Sequence, residues 1–138
     1  MEYQLELGAG SQYVYFRPVE ISRSAEEVSR RRQAIGDFAR ANGLTRVLFD
    51  YRDRNLPPDL THYDVAVEAR QSLIHVEWRV AFLTSAIPAS YSLRLVKGLA
   101  RLLVGMTLNA ACFTDQAAAV QWLLSEEPPP PDGLTASS

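Results

Sequence analysis

The chain has 138 residues, 47% of them hydrophobic and 22% charged, with a net charge of −2 at pH 7. That length suits one domain and buries roughly 68% of the unfolded surface, so folding needs neither a disulfide nor a metal. The balance excludes whole-chain disorder and supplies no strongly basic surface of the kind that holds duplex nucleic acid.

Residues 3–7 alternate apolar and polar, residues 13–17 are rich in strand formers, and 8–12 (Gly-Ala-Gly-Ser-Gln) are turn formers. Together they predict a β-hairpin. A helix follows. Ser24 and Glu27 have capping-box spacing, Val28, Ile35, Phe38 and Ala39 recur at helical spacing, and Gly43 suits the left-handed position just past the end. Residues 46–51 (Arg-Val-Leu-Phe-Asp-Tyr) predict a strand whose unbroken apolar centre implies burial on both faces. Pro57-Pro58 interrupts the chain, Thr61 and Asp64 form a second capping box, and Val65, Ala69, Leu73 and Val76 share a face of the next helix. Residues 78–84 predict a strand, Ser90 an N-cap, 91–104 an apolar third helix closed by Gly105, and 108–114 the last strand. Asp115 caps a final helix bearing Val120, Trp122, Leu123 and Leu124.

The order β-β-α-β-α-β-α-β-α predicts an α/β fold. An N-terminal hairpin leads into a mixed, mostly parallel five-stranded sheet with four helices. Residues 1–127 form one domain in this reading, and the proline-rich 128–138 a mobile tail. The first residues show no secretory signal, and no apolar run nears the roughly 18 residues of a membrane span. A cytoplasmic protein is expected, and one cysteine, Cys112, precludes an intramolecular disulfide.

In such a sheet, ligands gather beyond the carboxyl ends of the strands. Three loops qualify: 50–55, 84–88 and Thr114-Asp115-Gln116. In the first, Asp50 and Asp53 could serve as an acid/base pair or bind a cation. Alternatively Asp50 caps a turn and Asp53 pairs with Arg52 or Arg54. A phosphoryl-acceptor aspartate is disfavoured, because the first strand ends in Gly8-Ala9 rather than an acidic pair and the only lysine is Lys97. Gly8-Ala9-Gly10 precedes a strand instead of a helix, so it lacks the helix N-terminus on which a pyrophosphate rests. His62 and His75 lie about 20 Å apart on one predicted helix, too far to share an ion. There is no nucleophile elbow. Cys112 reads as an inert core thiol. No cofactor is implied.

Two surface features remain. Arg30-Arg31-Arg32 reads as a solvated basic face balanced by Glu26 and Glu27. The third helix carries Arg94, Lys97 and Arg101 on one side, while nine of its fourteen residues are apolar. A stripe that wide suits a well-buried helix, a second copy of the chain, or an apolar small molecule.

Three stretches resemble the SpoIIAA-like group of the STAS fold, which is typified by anti-sigma-factor antagonists. Residues 46–52 look like its strand ending in an Asp-x-Arg loop, and 78–83 like its next buried strand. Cys112-Phe113-Thr114-Asp115 through Trp122-Leu123 resembles its closing strand and helix. The resemblance spans about residues 3–124. It implies a non-enzymatic regulatory module that binds a protein partner, itself included. Antagonists of this fold are switched on a serine in an Asp-Ser motif. The corresponding 56–61 here has no serine, and Thr61 is its only hydroxyl. The candidate binding residues are therefore Asp50, Arg52, Asp53, Arg54, Thr61, Ser85 and Arg94. The alternative is an apolar or lipid-like ligand between the sheet and the third helix, with Arg52 or Arg94 at its polar end.

Overall fold

The computed structural model describes residues 3–19, 25–52, 78–84 and 109–128. They build an α/β unit around one five-stranded sheet in the order β1-β2-β3-β4-β5. The strands are β1 (Tyr3–Leu7), β2 (Val14–Pro18), β3 (Arg46–Tyr51), β4 (Arg79–Thr84) and β5 (Ala110–Phe113). β1 runs antiparallel to β2, and every later neighbour is parallel. Two helices are described, α1 (Ala25–Ala41) and α2 (Gln116–Leu123). The helices expected after Thr61 and over 91–104, the Ser24 cap and the tail past 128 lie outside the described residues.

The hairpin forms around glycine. Gly8 N–H donates to Tyr13 O at 2.8 Å, and the connection turns through Gly10 and Ser11, both at positive φ. A Cβ on Gly8 would lie 2.1 Å from the Tyr13 ring, so this close approach admits no side chain. α1 ends as its sequence predicts. Gly43 takes φ +64°, while Leu44 N–H donates to Ala39 O and Gly43 N–H to Arg40 O. These are the paired bonds of a Schellman ending.

Strand register lines up like side chains across the sheet. Val14, Val47, Val80 and Ala110 form one row, and Phe16, Phe49, Phe82 and Cys112 the next. Both rows lie on the face that α1 covers with Ile35 and Ala39. Phe49 stacks on Phe82 with ring centroids 5.3 Å apart and meets Phe16 edge-on at 5.6 Å. On the opposite face α2 packs Ala119, Trp122 and Leu123 against Leu48, Ala81, Leu83, Ala111 and Phe113. The apolar centre of β3 is thus buried from both sides, as its lack of alternation implies.

The arginine cluster of α1 departs from the sequence reading. Arg30 is exposed and pairs with Glu26, but Arg31 and Arg32 are buried. The Arg31 guanidinium lies 5.3 Å from the Phe16 ring centre, and that of Arg32 lies 5.0 Å from Trp78 and 5.8 Å from Phe49. An α-helix sends consecutive residues around its circumference, so three adjacent arginines cannot share one solvated face. Aromatic ring faces provide the cations with an attractive surface inside the protein.

Candidate functional site at the carboxyl end of the sheet

The carboxyl ends of β2 and β3 and the amino end of α2 meet on one side of the sheet. Pleating places Asp50 on the α2 face of β3, one position beyond Phe49 on the α1 face. Asp50 is 4% exposed, and a carboxylate so placed needs partners. It has four hydrogen bonds. The Tyr15 hydroxyl donates to Oδ2 at 2.6 Å. Arg52 donates its backbone N–H and its Nε to Oδ1, and its Nη2 to Oδ2, each at 3.1 Å. The fork of Arg52 thus grips both carboxylate oxygens. Its Nη2 also donates to Oε1 of Gln116, the first residue of α2, at 2.9 Å. Asp115 caps that helix, accepting from Ala118 N–H at 2.9 Å, as its position in the sequence predicts.

These contacts fix the protonation states. Burial alone would raise the Asp50 pKa, but hydrogen bonds from Arg52 and Tyr15 outweigh it and hold the carboxyl below its ordinary value. Burial, together with the Asp50 hydrogen bond and charge, pushes the Tyr15 phenol well above its usual range. The bond to Asp50 raises Arg52 further, against the opposing effect of its own burial. The result is an anion, a neutral phenol and a cation, all far from titration near neutral pH. The arrangement orients Arg52, whose side chain remains 37% exposed.

Of the seven sequence candidates, Asp50 and Arg52 are brought together here, and Arg52 pairs with Asp50. Asp53, Arg54, Thr61, Ser85 and Arg94 lie outside the described residues. Tyr15 and Gln116 complete the site; Gln116 belongs to the third of the loops singled out in the sequence, but neither is among the seven candidate residues. The signal for Tyr15 was an aspartate inside a buried strand, which requires a donor from a neighbouring strand. Thirty-five residues separate the two; the β2–β3 register sets Tyr15 opposite Leu48, and its hydroxyl reaches diagonally to Asp50 two positions on. Among the described residues no three His, Cys, Asp or Glu side chains converge to hold a metal ion. No described helix is long and apolar enough to cross a membrane.

A second polar cluster lies at the other end of α2. Arg79 of β4 is 7% exposed. Its Nη2 donates to Trp122 O at 2.7 Å and to Ser125 Oγ at 3.1 Å, its Nε to Trp122 O at 3.2 Å, and its Nη1 to Asn109 Oδ1 at 3.1 Å. The guanidinium lies 3.7 Å from the centre of the Trp122 ring. At the same end a cleft of about 430 Å³ is lined by Ser11, Gln12, Leu44, Thr45, Arg46 and Leu124, among others. Arg46 there reaches Glu126 at 2.7 Å.

No family model, curated protein or solved structure matches the chain.

Proposed function

We propose that the chain is a STAS-like regulatory module that binds a protein partner at the carboxyl end of its sheet and works without the serine phosphorylation switch. Arg52 anchors that partner. The observation carrying this reading is the locked Tyr15–Asp50–Arg52 cluster, which holds a cation half in solvent while keeping its own protonation constant. Such a group suits recognition more than proton transfer, because a general acid or base works best with a pKa near the working pH. The leading antiparallel hairpin followed by parallel strands in sequential order agrees with the resemblance of residues 46–52 and 112–123 to the SpoIIAA-like group.

The test is quantitative affinity capture from cells of the source organism with the native chain and with Arg52→Glu. A stoichiometric partner held by the native chain and lost with the variant, at matched thermal stability, is the expected result. Identical partners at identical stoichiometry would overturn the assignment of this surface.

A further inference from the structure

We propose that β1 is a self-pairing edge, at which two copies of this chain join their sheets through an antiparallel β1–β1 seam. This surface is distinct from the carboxyl-end site and does not depend on its reading. β1 ends the sheet order, with β2 as its only neighbour among the described strands. In an antiparallel ladder, hydrogen-bonded and non-hydrogen-bonded pairs alternate. The Gly8 N–H to Tyr13 O bond marks Gly8–Tyr13 as a hydrogen-bonded pair. Counting back in twos, Glu6–Tyr15 and Gln4–Arg17 are of the same kind. Tyr3, Leu5 and Leu7 therefore turn their N–H and C=O groups toward the outer edge. Pro18 lies opposite Tyr3, where the ladder asks no N–H of it.

This phase is self-complementary. Leu5 is the middle residue of β1. A two-fold axis through Leu5 sets it against Leu5 of the second copy and Tyr3 against Leu7 of the second copy. Every outward backbone group then finds a partner, and a shift by one residue would pair none of them. The same axis sets Gln4 opposite Glu6 of the second copy, twice. These side chains are exposed and already suit one another, since Gln4 Nε2 donates to Glu6 Oε1 at 2.7 Å within the strand. On the other face Tyr3 is 37% exposed and would gain cover from Leu7 of the second copy. β1 contains no proline, lysine or arginine, the residues that commonly guard an edge. A seam of five residues is small, so the association is weak.

Two exposed substitutions test the seam by charge sign. Gln4→Glu faces Glu6 with a like charge in both pairs and should weaken self-association about tenfold, whereas Gln4→Lys should strengthen it about tenfold. Sedimentation of the native chain and both variants over a concentration series reads this directly. Hydrogen exchange supplies the second readout. Tyr3, Leu5 and Leu7 amides should become protected as concentration rises, while Gln4 and Glu6 amides, bonded to β2, are protected throughout. A monomer mass up to about 1 mM, a dimer indifferent to the charge at position 4, or a dimer with an unprotected Leu5 amide would each overturn the proposal.

Discussion

Arg79 and Arg52 flank the same short helix, α2, at its carboxyl and amino ends. At the carboxyl end the helix presents unpaired carbonyls and the negative pole of its dipole. A cation is favourable there without further support, and Arg79 bonds Trp122 O directly while covering the Trp122 ring. At the amino end the dipole is positive and a cation is unfavourable. Arg52 is held there by the Asp50 carboxylate, itself fixed by Tyr15. The Arg79 arrangement is explained by stability alone. At this positive pole the Asp50 carboxylate is favoured, and it carries with it a partly exposed guanidinium that the dipole alone would disfavour. That exposed cation is the basis for the binding surface proposed at the carboxyl end of the sheet, beside the amino end of α2.

The comparison is sharpened by substituting each end in turn. The largest effect is expected from Arg79→Ala, which removes the stacked guanidinium, takes its hydrogen bonds from Asn109 Oδ1 and Ser125 Oγ, and leaves Trp122 O with Ser125 alone. Urea denaturation should show a loss of about 3 kcal/mol. Asp50→Asn should cost about 2 kcal/mol, because a neutral amide cannot satisfy Tyr15 and both Arg52 donors as a carboxylate does. Ultraviolet titration of that variant should also find the Tyr15 pKa lowered, though still raised by burial. Asp115→Ala removes the α2 cap and should cost about 1 kcal/mol by the same denaturation.

Arg52→Ala should cost a similar amount, about 1 kcal/mol: its own side chain is partly exposed and solvent-screened, but the buried Asp50 keeps only Tyr15 and a backbone N–H. Its acid signature is more telling. The folded pKa of Asp50 lies below its unfolded value, so its contribution is complete above that unfolded value and is lost as pH falls through the folded one. Removing Arg52 raises the folded pKa. The Asp50 part of the acid loss should therefore span a narrower pH interval and be smaller in Arg52→Ala than in the native chain, as pH-dependent melts would record. An unchanged acid limb would separate Arg52 from Asp50 and dissolve the contrast between the two ends.

Local chemistry made much of the fold legible. The limits of β3, the Asp115 cap and the glycine ending of α1 follow from apolar runs, side-chain acceptors and positive φ, all confined to a few neighbouring residues. The hairpin and the mainly parallel sheet follow from the order of such signals. What stayed hidden depends on register and packing across the chain. Arg79 reaches over 43 residues to Trp122, and Tyr15 over 35 to Asp50. No periodicity predicts which strand positions will face one another at those separations. The burial of Arg31 and Arg32 was hidden for a different reason. Charge in a sequence signals solvent, and only the aromatic row Phe16–Phe49 with Trp78 turns the α1 surface into a place where guanidinium groups are held inside.

The central claim is that Asp50 stays ionised so that Arg52 is held at the unfavourable end of α2. The most direct measurement is the ¹³C-carboxyl titration of Asp50 by nuclear magnetic resonance in the native chain. The account predicts a midpoint below the ordinary aspartate value of about 3.9, moving upward in Arg52→Ala. A native midpoint near neutrality, or one indifferent to Arg52, would contradict it and make Asp50 a proton-transfer group instead.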